Sequence, residues 1–210
     1  MQQVRIHFLL FFMVFCTSAT VLSQNADIRF LRNIHLDRNH NLDPALKVIT
    51  NSAVPISIGT PLVMYSIGLI KKDSTLKDKA IFIGEAFLVN AFITKALKVV
   101  ANRPRPFETY TDIDPVVLST GKSFPSGHTS IAFSTATSLS MAYPERYVIV
   151  PSFLWASSVG YSRMHLGVHY PSDVAIGAIV GAGSAFITCK VNKWLNKKKI
   201  YKPYISRTMF

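Results

Sequence analysis

Five apolar segments limit what this chain can fold into: residues 48–70, 80–101, 127–143, 147–162 and 173–189. None alternates apolar and polar residues with a period of two, and each is long for a strand. Each is therefore predicted as a helix. No internal repeat or low-complexity linker breaks the series. The predicted class is all-α, a bundle of five or six helices with its core in residues 48–190. Crossing a hydrocarbon core of ~30 Å takes about 20 helical residues. The first two segments are long enough, whereas the third and fourth are marginal at ~1.5 Å per residue. The stretches "TSIAFSTATSLSMA" and "AIGAIVGAGSAF" are rich in small residues. Such residues let helices approach closely in lipid, and they serve equally in a buried soluble bundle. If the second segment spans, Glu85 and Asn90 must face the bundle interior.

Charge placement favours the membrane. Lys and Arg number 23 against 11 Asp and Glu, while only 16% of residues are charged. That share is low for a soluble domain. From Lys190 onward come Lys193, Lys197, Lys198, Lys199, Lys202 and Arg207, with no acid. A basic tail over 191–210 directly after an apolar segment fits a stop at a cytoplasmic membrane face. No groove-reading motif or aromatic–basic interleaving accompanies it, so nucleic acid is not an expected partner. The loop "KKDSTLKDK" holds four Lys against two Asp. With the N-terminus inserted in the usual orientation, this loop and the tail share the inner side, as the positive-inside rule asks. Residues 24–47 and 102–126 then lie outside. The expected location is a bacterial-type inner membrane with the outer helix ends facing the periplasm, and a soluble periplasmic bundle is the alternative.

At the N-terminus, Arg5 and His7 precede "FLLFFMVF", and small residues follow at Ser18, Ala19 and Ser23. This is the secretory pattern, so residues 1–23 are expected to be a signal peptide or a retained signal anchor. Residues 24–47 are polar, with apolar spacing at Ile28, Leu31, Ile34 and Leu36, and predict a surface helix lying along the rest. Cys16 and Cys189 have no paired spacing that would suggest zinc or a disulfide scaffold. Any metal would fall to histidines and carboxylates. His35 and His40 are expected at the surface.

Three stretches carry chemistry, and all fall at outer helix ends in this topology. "GKSFPSGHTS" places Ser126, a good N-cap type, and Gly127, which keeps bulk off the backbone, where a helix should begin. A helix start suits an anion, and His128 adds a group that can pass a proton near neutral pH. "KVVANRPRPF" supplies Lys98, Arg103 and Arg105 in a loop stiffened by Pro104 and Pro106. "SRMHLGVHYPSDV" supplies Arg163, His169 and Asp173. The last two lie four residues apart, a spacing that can put both on one helical face. Asp173 could then hold one ring nitrogen of His169 and aim the other at a substrate.

Together these residues resemble the type 2 phosphatidic acid phosphatase and haloperoxidase superfamily. Lys98 with Arg105-Pro106, then Pro125-Ser126-Gly127-His128, then Ser162-Arg163 with His169 and Asp173 match in order and spacing. The resemblance covers about residues 48 to 190. It implies a metal-independent, cofactor-free hydrolase of phosphate esters. His169 would attack phosphorus and form a phosphohistidine, His128 would protonate the leaving alcohol and later activate water, and Asp173 would fix the tautomer of His169. Lys98, Arg105, Arg163, Ser126 and Gly127 would bind the phosphate. Arg103 is an extra charge with an open role, and His165 reads as structural. A site at the outer interface suits a membrane lipid phosphate or diphosphate as substrate. Asp112 and Asp114 near the mouth either disfavour very anionic headgroups or, like Glu108, are simply solvated. The alternatives are a soluble periplasmic acid phosphatase, a vanadium-dependent haloperoxidase, and a non-enzymatic membrane protein. Nothing in the sequence speaks for or against self-association.

Overall fold

The computed structural model describes residues 25–195. The segment 1–23 and most of the basic tail 191–210 lie outside the described residues. Helix α1 spans residues 25–35. After a 3₁₀ turn at His40–Leu42 come α2 (Asp43–Asn51), α3 (Ala53–Ile70), α4 (Ser74–Ala101), α5 (Pro106–Thr109), α6 (Gly127–Ala142), α7 (Arg146–His165) and α8 (Pro171–Leu195). The five long ones, α3, α4, α6, α7 and α8, match the five apolar segments, and no strand occurs among the described residues.

Local chemistry sets the boundaries of α4. The Asp73 carboxylate accepts the Leu76 N–H at 3.0 Å and caps the start. Asn102 ends the helix in the left-handed region (φ 45°), a conformation Asn tolerates. Pro104 and Pro106 then prevent any continuation.

Three stretches are long and apolar enough to cross a membrane: His40–Ile70, Ser74–Thr109 and Pro171–Leu195. Their outward surfaces agree, since Ile58, Leu62, Leu88, Phe92, Ile179 and Phe186 are large, apolar and exposed. A belt of this kind marks a surface made for lipid.

Helix α6 is not among these stretches. Its 16 residues span only about 24 Å. It sits instead in the centre, packed against α3, α4, α7 and α8. Because protein surrounds it, most of its hydroxyls find protein partners. Ser130 Oγ meets Thr94 Oγ1 at 2.7 Å and donates to Asn90 Oδ1. Thr135 donates to Ser57 at 2.7 Å. Asn90 is fully buried, as a polar residue within a spanning helix should be. Glu85 accepts from the Asn192 amide of α8.

Contact between α6 and α8 depends on glycine. A Cβ on Gly177 would lie 2.8 Å from the Ser126 carbonyl oxygen, and one on Gly181 would run into the Ser130 carbonyl. Small residues here bring the two backbones together.

The described helices place the ends of α4 and α7 and the starts of α6 and α8 on one side of the bundle. At the opposite end, Lys79 lies 3.8 Å from the centroid of the Tyr143 ring, joining the start of α4 to the end of α6.

Helix α1 differs from a surface helix with an apolar stripe ending at Leu36. Ile28 and Leu31 are buried against Ile113 and Tyr170, but Leu36 is 47% exposed. His35 takes the next stripe position and is 1% exposed, which corrects its expected surface placement. The cause is Gly167, at φ +74°, where a Cβ would stand 2.6 Å from His35 Cε1. The missing side chain leaves room for the imidazole, whose Nδ1 donates to the His165 carbonyl at 2.8 Å.

Gly181→Ala is expected to lower stability by about 1–3 kcal/mol, the range for overpacking a close contact. Gly183, whose added Cβ would meet nothing within 4 Å, is the control: Gly183→Ala should be neutral or slightly stabilising. Thermal unfolding in detergent micelles checks both.

Candidate active site

All eight residues singled out by the motifs lie at the same end of the bundle. Lys98 closes α4, Arg105 precedes α5, and Ser126, Gly127 and His128 start α6. Arg163 lies in the last turn of α7, and Asp173 lies in the first turn of α8. His169 sits in the short connection between α7 and α8. Arg105, Ser126, Arg163, His169 and Asp173 are buried, while Lys98, Gly127 and His128 are half-buried. The arrangement is a cationic floor with a partly open rim.

Backbone carbonyls hold Arg105 rigidly. Its Nε donates to Gly121 O at 2.8 Å, Nη2 to Thr120 O at 2.9 Å and Nη1 to Val168 O at 2.9 Å. Nη1 also lies 3.2 Å from His169 Nε2. A guanidinium only donates, so Nε2 must present its lone pair and the ring proton must sit on Nδ1. That proton faces Asp173 Oδ2 at 3.4 Å and the Ser123 hydroxyl at 3.4 Å. Burial holds the imidazole below its ordinary pKa, Asp173 acts against that shift, and Arg163 adds to it.

The Asp173 carboxylate has its own anchors. Oδ2 accepts the Ser123 hydroxyl and the Tyr170 N–H, the latter at 3.1 Å. Oδ1 accepts from Arg103 Nη1 at 2.8 Å. The Asp173 carbonyl takes the Ser126 N–H at 3.0 Å, which ties the start of α8 to the start of α6.

Arg163 Nη1 donates to Thr50 Oγ1 and Nη2 to Ser119 Oγ, each at 2.9 Å. Its buried Nε has no partner among the described residues. Lys98 Nζ donates to the Lys122 carbonyl at 2.6 Å. The charges of Arg163 and Arg105 act on both His128 and His169, so both imidazoles share one cationic neighbourhood.

Ser126 holds the N-cap position, but its hydroxyl makes no cap hydrogen bond. It pairs instead with Thr129 Oγ1 at 2.8 Å. The next N–H groups of the first turn of α6 lack intrahelical partners by helix geometry, and they remain the anion-facing donors there. Glu108 and Asp112 are not simply solvated. Glu108 Oε2 accepts the Arg105 N–H at 2.8 Å, and Asp112 pairs with Arg32 at 2.7 Å. His165 is buried with Nε2 2.8 Å from Asp43 Oδ1, away from the site residues.

Sequence reasoning missed Ser123, Thr50, Ser119 and Asp27. Each is a lone small polar residue whose partner lies far along the chain, and no spacing marks it. Arg103, whose role the motifs leave open, reaches Asp173 and Asp27.

Comparison with known proteins agrees with this geometry. The sequence model of the PAP2 superfamily matches residues 79–197. Undecaprenyl-diphosphatase BcrC of Bacillus subtilis is 30% identical over 151 residues, covering 71% of this chain and 75% of that protein. Lipid A 4'-phosphatase of Bacteroides thetaiotaomicron is 34% identical over 91 residues; the match takes in 40% of each, so less than half of that relative is spanned. The crystal structure of a transmembrane PAP2 type phosphatidylglycerolphosphate phosphatase from Bacillus subtilis has the same fold. It superposes with a TM-score of 0.70 at 24% identity, over 91% of this chain and 96% of that one. The motif order, the bundle and these matches agree: the chain belongs to the PAP2 superfamily.

Proposed function

We propose that the protein is a phosphatase that hydrolyses a phosphate ester or diphosphate of a membrane lipid through a phosphohistidine on His169. The observation that carries this reading is the donation of Arg105 Nη1 towards His169 Nε2. It puts the ring proton on Nδ1 and keeps the Nε2 lone pair for a phosphorus atom, which would replace Arg105 Nη1 as its partner among the cations.

In the proposed first step the Nε2 lone pair forms a bond to phosphorus as the bond from phosphorus to the leaving oxygen breaks. His128, kept neutral in the empty site by burial and by Arg163, Arg105 and Lys98, takes up a proton as the anionic phosphate enters and gives it to that oxygen. The Nδ1 proton stays facing Asp173, which stabilises the positive charge the ring acquires. In the second step water attacks phosphorus, His128 takes its proton, and the N–P bond breaks to restore Nε2. Phosphoryl transfer asks mainly for positioning and charge neutralisation. Lys98, Arg105 and Arg163 supply the positive charge, the unpartnered Nε of Arg163 offers a donor to a phosphoryl oxygen, and the α6 N-terminus adds N–H groups. This set can do the electrostatic work often given to a metal ion.

Two features support a lipid as substrate. The rim lies at the ends of helices apolar enough to cross a membrane, and the curated relatives are named for lipid phosphates. The basic loop and tail favour an orientation with the site facing the periplasm.

Phosphate release by the detergent-purified protein, measured across phosphatidate, phosphatidylglycerol phosphate, undecaprenyl diphosphate and lipid A, tests the reading. His169→Ala is expected to abolish turnover, and a variant that keeps most of its rate refutes the nucleophile. Arg163→Ala should lower the rate about 10²–10³-fold, the loss typical of one preorganised donor. Vanadate should inhibit and a chelator should not; strong inhibition by a chelator would overturn the metal-free scheme.

A further inference from the structure

One anchor of Asp173, the guanidinium of Arg103, reaches back to helix α1. Arg103 Nη1 donates to Asp173 Oδ1 and to Ser172 Oγ, each at 2.8 Å. Its Nη2 donates to Asp27 Oδ2 at 2.7 Å. The guanidinium carbon lies 3.8 Å from the centroid of the Tyr170 ring, which fixes the plane of the fork. Asp27 in turn accepts the Ser172 N–H at 2.9 Å and the Ser172 hydroxyl, capping the first turn of α8. The Asp27 and Asp173 side chains are 6% and 0% exposed.

Two buried carboxylates thus share one planar cation. Only a fork of donors can bridge them; a lysine ammonium is a compact charge that cannot hold both in fixed directions. The consequence falls on His169. Its own contact with Asp173 is long at 3.4 Å, so the carboxylate is aimed by its other partners. Arg103 fixes Oδ1, which leaves Oδ2 directed at the Nδ1 proton. Asp27 takes the second arm of the guanidinium and keeps it from swinging off Asp173.

We propose that Asp27 and Arg103 are positioning residues for the reaction, and that α1 thereby belongs to the catalytic apparatus; the inference rests on the phosphohistidine reading above. The test uses the full chain in detergent micelles and compares wild type, His169→Ala, Asp27→Asn and Arg103→Lys. Asp27→Asn is isosteric and Arg103→Lys keeps the charge. Each is expected to lower kcat about 10- to 100-fold, the loss usual for outer partners of an oriented imidazole. KM should stay within about twofold, because the contact with substrate is untouched. A merely structural role would lower thermal stability and leave kcat of the folded protein intact.

A second readout needs no substrate. In histidine-labelled protein, NMR is expected to show His169 protonated on Nδ1 in wild type and in both variants, because Arg105 still donates to Nε2, with the Nδ1–H proton resonance moved upfield in both variants as its bond to Asp173 loosens. Unchanged kcat or an unmoved Nδ1–H resonance in the two variants overturns the positioning role. If wild type instead releases no phosphate from any lipid phosphate, the proposed function fails, and the Nδ1–H resonance alone then decides for or against the Asp27–Arg103 anchor.

Discussion

A buried carboxylate holds this end of the bundle together. Lys98, Arg105 and Arg163 bring like charges towards one another at the ends of separate elements, where burial strips away much of the water that would screen them. Asp173 sits among them with no exposed surface. Its side chain gathers Arg103, Ser123, the Tyr170 N–H and His169, and its carbonyl takes the Ser126 N–H. One residue therefore fixes the orientation of His169 and the docking of α8 on α6. A phosphate bound there would add negative charge to the same cluster, so binding and assembly of the site would draw on a single electrostatic balance.

The close approach of α6 and α8 makes this possible, and it is a backbone property. Gly177 and Gly181 let α8 lie against the Ser126 and Ser130 carbonyls. Two helix starts then point at one small volume, with their first-turn N–H groups and positive dipole ends side by side. The Ser and Thr residues of α6 follow from the same arrangement. A helix enclosed by protein can carry hydroxyls, provided each finds a partner, and Ser130 and Thr135 find theirs on α4 and α3. Apolar surface is left to α3, α4, α7 and α8, which face outward.

The sequence makes the helices and the motif residues legible for a physical reason. Segment length and the absence of two-residue alternation are local properties, and so are the Pro and Asn that end α4. Motif spacing reports which residues a helix end will present. It does not report what those residues will hold. Ser126 has the type and place of an N-cap, yet its hydroxyl pairs with Thr129 Oγ1 instead. His35 has a polar side chain, yet it is buried because Gly167, far along the chain, leaves a space of its shape. Ser123 and Asp27 matter only through partners brought near by folding, and no periodicity could mark them.

Sorting the donors at the site by what they bond to separates positioning from binding. The guanidinium of Arg105 spends its donors on three backbone carbonyls and on His169. That of Arg103 is spent on two carboxylates and a hydroxyl. In the proposed reaction Arg105 would give up only its contact with His169 Nε2 to the phosphate and keep its backbone anchors. Arg163 differs, because hydroxyls hold both its terminal nitrogens while its buried Nε is left without an acceptor. An unsatisfied donor buried beside two imidazoles costs stability in the absence of an acceptor. A phosphoryl oxygen would supply one, and the cost would be recovered on binding. The cations of this site thus differ in how they are tied, Arg103 and Arg105 to the groups around His169 and Arg163 with one donor left over, and a cluster of equal charges is in this way turned into an oriented pocket.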